Sequence, residues 1–112
     1  MNLPPLISSQ RYLNPKKVQR KAETFKTFIV STLTIELGGT LYRVLLDGHH
    51  NLAAAKLLGF EPEWRGPSLK MQRFIKRHTK AEVAQFLINN LTDSDWYFVD
   101  SGLVVNELLA RA

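Results

Sequence analysis

The sequence contains no cysteine, which excludes a disulfide framework, thiolate chemistry and cysteine-based zinc sites. It also lacks an apolar run of about 20 residues, the length that a membrane-spanning helix requires. The first ten residues, MNLPPLISSQ, have neither the basic start nor the long apolar stretch of a signal peptide. These absences predict a cytoplasmic protein with no membrane partner, and the lack of cysteine fits a reducing compartment.

Acidic residues are scarce in the first 80 positions. Residues 1–80 carry 14 Lys and Arg against 5 Asp and Glu, whereas residues 81–112 carry one Arg against 5 acids. The first part therefore has a balance of +9 and the second a balance of −4. This asymmetry favours a polyanionic partner for the first part, and the alternative is a solvated basic face that only keeps the protein soluble.

The length of 112 residues allows one domain with one core. Asn14 and Pro15 predict the start of a first helix, as N-cap and first helical residue. In the following stretch, IVSTLTIELGGTLYRVLLD, two glycines separate two β-rich halves and predict a hairpin turn at Gly38-Gly39. Pairing Leu37 with Thr40 sorts the apolar side chains to one face, namely Leu33, Ile35, Leu37, Tyr42, Val44 and Leu46.

The remaining elements complete a mixed α/β (α+β) pattern. We expect a buried helix over residues 50–58 that ends at Gly59, a short extended edge segment over 60–64, and a basic helix in PSLKMQRFIKRH. A capping box from Thr79 to Glu82 begins another helix. Residues 95–99 are ambiguous between strand and helix, and residues 101–112 are expected to close the chain as a helix.

An acid, a glycine and two histidines lie at the junction between the second hairpin strand and the next helix. The first turn of a helix carries unpaired N–H groups and a partial positive charge, so a glycine before it lets a ligand approach the main chain. His49 and His50 add imidazole donors, and Asp47 could orient one of them or hold a metal ion. The Asp47–His50 motif therefore favours a phosphate or nucleotide site.

The stretch VLLDGHHNLAAAKLLGF resembles the signature of the ParB/sulfiredoxin-like family, and LISSQRYLNPKKVQRKAETF is similar to that family's opening segment. The resemblance covers about residues 3–64 and implies a small mixed sheet with a hairpin and surrounding helices. Residues 65–112 would then form a helical extension of the same single domain, 1–112. Members carry Gly-Glu-Arg-Arg, Gly-Cys-His-Arg or Asp-Gly-His-His-Arg at this place.

In that family the box binds nucleotide phosphates. By position, the resemblance implies that Gly48, His49, His50 and Asn51 contact the phosphates, with a nucleotide and Mg as the implied cofactor. Asn51 stands where the family has Arg, so a neutral amide replaces a charged guanidinium that can form two parallel hydrogen bonds. His49 stands at the cysteine position of sulfiredoxins, which excludes their reductase chemistry.

Several alternatives stay open at this stage. The histidines could be a structural pair, or a metal site with Asp47, although adjacent histidines rarely bind one ion and we predict no metal site. The protein could be a nucleic-acid-binding or protein-interaction accessory of a plasmid or phage, acting through basic helices, with a protein partner or a homodimer formed through residues 65–112. It could also be a Mg-dependent nuclease, nucleotide hydrolase or phosphotransferase in which Asp47, His49 and His50 are catalytic. The nucleic-acid contacts would be Arg65, Lys70, Arg73, Lys76, Arg77 and Lys80.

Overall fold

The structure, a computed structural model, describes residues 3–109 and confirms the mixed α+β class. The helices are α1 (Pro15–Thr24), α2 (His49–Leu58), α3 (Leu69–Arg77) and α4 (Lys80–Asn89). The strands are β1 (Leu6–Ser8), β2 (Ile29–Leu37), β3 (Thr40–Asp47), β4 (Glu63–Arg65) and β5 (Tyr97–Phe98). No helix in this part of the chain is long and apolar enough to cross a membrane.

The five strands form one mixed sheet in the order β4-β2-β3-β1-β5. β2 and β3 form the predicted hairpin, and the pairing of Leu37 with Thr40 and of Leu33 with Val44 confirms the register. Gly38 and Gly39 both have positive φ, as a two-residue hairpin turn requires. β1 lies parallel to β3 and β4 parallel to β2, which places the predicted edge segment at one border of the sheet.

Helices cover both faces of the sheet. On one face, Tyr42 and Val44 of the hairpin pack with Val83 and Leu87 of α4 and with Trp96. On the other face the buried residues form two clusters, which are Leu6, Val30, Leu45 and Leu52, and Phe28 with Ala54 and Ala55. The segment after residue 65 is therefore more than a helical extension, because it supplies β5 and much of the main core.

Helix starts follow the predictions closely. Asn14 caps α1, where its side chain accepts from the N–H groups of Lys16 and Lys17, and Pro15 is the first helical residue. The capping box between Thr79 and Glu82 is complete in both directions. These caps depend on residues two or three positions apart, which is why the sequence predicts them well.

The expectation for the last segment was wrong. The helix predicted over residues 101–112 is absent from its described part, 101–109, while residues 110–112 lie outside the described residues. Gly102 takes a left-handed conformation that reverses the chain, so that Val104 bridges to Tyr97 and only a 3-10 turn, Asn106–Leu108, follows. The β-branched pair at 104 and 105 and this turn favour an extended return over a helix.

α2 is also less buried than its composition suggested. Leu52, Ala54 and Ala55 are buried, but Leu57 is 62% exposed and Leu58 is 40% exposed. One face of the helix packs on the sheet and on α1, and its last turn extends past this contact. Gly59 ends the helix in a left-handed conformation, as predicted.

Candidate functional site

The junction between β3 and α2 is shaped by the neighbouring strand β2. Gly48 is the N-cap of α2 with φ 94° and ψ 26°, a left-handed conformation. A Cβ at this position would lie 2.6 Å from the carbonyl oxygen of Ile29. The structure therefore explains the need for glycine at position 48 differently from the sequence argument. The space beside the Gly48 Cα is occupied by β2, and not by a ligand.

His49 forms a hydrogen bond with a serine on β1. Its Nε2 lies 2.8 Å from Oγ of Ser8, and that oxygen also accepts from the backbone N–H of Gln10 at 3.0 Å. Burial lowers the pKa of His49, the nearby Asp47 raises it by less, and His50 lowers it further. The distance would suit a nucleophile and its base, but Ser8 has no exposed surface. The hydrogen bond between His49 and Ser8 therefore connects α2 to β1.

His50 connects the starts of two helices. Its Nε2 accepts a hydrogen bond of 3.1 Å from the backbone N–H of Asn14, the N-cap of α1. This bond requires the imidazole to be neutral, with its proton on Nδ1. Burial lowers the pKa of His50, and the positive charges of Lys17 and Lys21 lower it further. A positive field from α1 therefore reaches the first turn of α2.

An open hollow of about 380 Å³ lies between α1 and the first turn of α2, and we call it the anion hollow. Its lining includes all four residues from Asp47 to His50, and the full set is Gln10, Lys17, Lys21, Asp47, Gly48, His49, His50 and Asn51. The first N–H groups of α2 have no acceptor within the helix. Two lysines and the helix dipole therefore act on one polar space, against a single carboxylate.

Asn51 lines the anion hollow, but its side chain is bonded elsewhere. Its Nδ2 donates to the carbonyl oxygen of Ile29 at 2.8 Å. Its Oδ1 is buried and has no hydrogen-bond partner among the described residues. The resemblance implied a phosphate contact at this position, but the side-chain amide is bonded to β2 instead.

Asp47 also makes a local contact, because its Oδ1 accepts the N–H of Gly48 at 2.8 Å. Within residues 3–109 there is no group of three or more His, Asp or Glu side chains placed to hold a metal ion. With Nε2 of His49 and Nε2 of His50 committed to Ser8 and Asn14, the catalytic alternative gains no support from this arrangement.

A smaller, mostly apolar pocket of about 170 Å³ adjoins the anion hollow. The two spaces share Gln10 and His49, and the apolar one is lined further by Leu13, Leu45, Leu52, Ala53, Lys56, Tyr97 and Val99. A ligand with an anionic end and a flat apolar part could occupy both spaces at once. Sequence reasoning missed this pocket because its residues come from four separate segments.

Sequence reasoning also did not assign Lys17 and Lys21 to the site. Their spacing of four residues puts both on one face of α1, a signal that was visible. The sequence offered no way to know that this face turns toward α2, because only the packing of Val18 and Ala22 against Phe28, Ala54 and Ala55 fixes the orientation.

The predicted nucleic-acid contacts form a separate surface, which we call the α3 basic face. Lys70, Arg73, Lys76 and Arg77 are exposed on α3, and Lys80 is exposed at the start of α4. Arg65 lies apart on β4, in an ion pair with Glu63. None of these residues lines the anion hollow. His78 ends α3, where its Nδ1 bonds the carbonyl oxygen of Phe74 at 2.8 Å.

The fold and the site together define an α+β domain with a mixed five-stranded sheet and a polar hollow at a strand-to-helix junction. Comparison of the chain with protein families, with curated proteins and with solved structures finds no match.

Proposed function

We propose that this chain is a ParB/sulfiredoxin-like domain that binds a phosphate-bearing ligand, a nucleotide, in the anion hollow. The observation that carries the proposal is the placement of Lys17 and Lys21 on the same hollow as the first turn of α2. Unpaired helix N–H groups and lysine ammonium groups both favour a bound phosphate. The resemblance of VLLDGHHNLAAAKLLGF to the family's phosphate-binding box supports the same assignment.

The adjoining apolar pocket favours a nucleotide over inorganic phosphate. Leu45, Leu52 and Val99 supply an apolar surface next to the hollow, and Tyr97 supplies an aromatic ring. A base placed there would leave its phosphates within the anion hollow. Asp47 adds one negative charge to the hollow, and magnesium bound to the phosphates would offset it.

The test is thermal unfolding with ATP, ADP, CTP, GTP and pyrophosphate, each with and without magnesium. A nucleotide at 100 times its Kd should stabilise the protein by about 2.7 kcal/mol. The Lys17→Ala/Lys21→Ala variant should lose this stabilisation. The Lys16→Ala/Arg20→Ala variant removes the same charge from the same helix, outside the hollow, and should keep it.

A second variant separates the two parts of the site. Ala53→Leu fills the apolar pocket, so it should weaken nucleotide binding and leave pyrophosphate binding unchanged. Stabilisation that both lysine variants lose equally would show only a general charge effect. If no nucleotide and no pyrophosphate shifts the melting temperature, the proposal is wrong.

A second candidate function is non-specific binding of nucleic acid through the α3 basic face. It is favoured by the exposure of Lys70, Arg73 and Arg77 and by the lack of any acid between Glu63 and Glu82. The apolar side of α3 packs on the core through Phe74 and Ile75, so the cations face solvent. Such a surface contacts the phosphate backbone, with steep salt dependence and little sequence preference.

Retention on double-stranded DNA between 50 mM and 200 mM salt tests this candidate. Arg73→Ala/Arg77→Ala should reduce the slope of log affinity against log salt by about 2. Lys16→Ala/Arg20→Ala is the matched control and should change the slope less. Binding that neither variant alters would contradict a role for the α3 basic face.

A further inference from the structure

One border of the sheet is only half covered. β4 pairs with β2 at Ile29, Val30 and Ser31 and goes no further, whereas β2 continues to Leu37. On that side, residues 32–37 have no neighbouring strand within residues 3–109. Backbone groups of an antiparallel strand alternate in direction, so every second residue of this stretch directs its N–H and C=O away from β3. An open edge of this kind is a template for another strand.

A groove of about 300 Å³ is lined by part of the same stretch of β2, and we call it the β2 groove. Four consecutive residues of β2, from Leu33 to Glu36, line it. Leu41 of β3, which pairs with Glu36 across the hairpin, also lines the groove. Its other wall is the corner between α3 and α4, where Ile75, His78, Lys80 and Val83 lie.

The groove combines an apolar floor with one lysine, Lys80, on its helical wall. Leu33, Ile35 and Ile75 pack against the main core, so an apolar side chain placed here would extend that core. Lys80 is exposed at the first position of α4, beside the helix N-terminus, and it favours an anionic group nearby. Glu36, on the strand side, is the one acid in the lining.

We propose that the β2 groove binds an extended segment of a partner protein, which pairs with β2 as an added strand. The partner segment places an apolar side chain against Ile75 and Val83 and an acidic side chain next to Lys80. Main-chain hydrogen bonds to the open edge supply affinity, and the groove supplies specificity. An apolar floor of this kind does not fit a nucleic-acid backbone, and a compact small molecule would leave the strand edge unpaired.

The second copy of this chain is the competing occupant. It would present the same edge, so Glu36 and Lys80 of both copies would have to be accommodated in one two-fold contact. The charge distribution favours a different, acidic segment, and sedimentation of the free protein separates the two cases.

The experiment selects binders from a displayed library of random ten-residue peptides and then uses the selected peptide in synthetic form. We expect alternating apolar residues with an acid at one end. In hydrogen exchange, peptide binding should slow alternate amides of residues 32–37. Methylating single backbone nitrogens of the peptide should abolish binding at every second position only, a pattern that side-chain contact alone would not give.

Lys80→Glu should weaken the peptide roughly fivefold, as expected for a charge at the rim of an interface. Lys76→Glu makes the same change of charge on α3, away from the groove, and should leave the affinity unchanged. The proposal fails if no selected peptide protects residues 32–37, if methylation shows no alternation, if both lysine variants bind equally well, or if the free protein dimerises through this edge.

Discussion

Replacement of Gly48 by alanine tests how the strand-to-helix junction is built. The new Cβ would lie 2.6 Å from the carbonyl oxygen of Ile29 and 3.0 Å from Cα of Val30. Both are backbone atoms of β2, which cannot rotate away as a flexible side chain could. The left-handed backbone at φ 94° adds a second penalty for any residue with a Cβ.

The magnitude follows from these two contributions. The left-handed conformation costs about 1–2 kcal/mol, and forcing an extra carbon into a packed region adds about 1–3 kcal/mol. Gly48→Ala should therefore lower the free energy of unfolding by about 2–5 kcal/mol, a large part of the roughly 5–15 kcal/mol typical of a small domain. Urea unfolding followed by circular dichroism measures the change.

Gly59→Ala is the matched control. Gly59 has a similar left-handed φ of 71°, but its Cβ would meet nothing within 4 Å. This variant should pay only the conformational contribution of about 1–2 kcal/mol. If Gly48→Ala were no less stable than Gly59→Ala, the close approach of β2 to Gly48 would be refuted, and with it the shape of the anion hollow.

Three further predictions concern the histidines, Asn51 and the α4 cap. The pKa values of His49 and His50 lie below 6.5 in the folded protein, so the unfolded chain binds protons more readily. Stability should therefore be full above pH 6.5 and fall on acidification. A urea midpoint that does not change between pH 7.5 and pH 5.5 would contradict this prediction. Asn51→Ala should lower the free energy of unfolding by about 0.5–1.5 kcal/mol, because it removes the hydrogen bond to Ile29. It should leave the affinity for pyrophosphate, measured by calorimetric titration, unchanged. A large loss of affinity would show that the amide contacts the ligand. Thr79→Ala should cost about 0.5–2 kcal/mol through the lost cap, and Thr40→Ala, on an exposed strand end, is the control that should change the urea midpoint little.

The sequence predicted those features that depend on neighbours along the chain. The α1 cap at Asn14, the hairpin turn at Gly38-Gly39 and the capping box at Thr79 each involve residues within four positions. The hairpin register was predictable because a shift of one residue would turn every apolar side chain to the wrong face. The strand-to-helix junction at Gly48 was also predictable, because a β-rich run ends in glycine directly before a helical pattern.

The tertiary structure decided what surrounds those local features. It brought Lys17 and Lys21 to the anion hollow, directed the imidazoles to Ser8 and Asn14, and turned the Asn51 amide to Ile29. These contacts join residues about 20 to 40 positions apart, so no periodic pattern in the sequence predicts them. The local pattern of the chain thus determined where the N-terminus of α2 lies. Packing between distant segments determined which charges and which strand lie next to it, because side-chain direction is fixed only when the elements pack together.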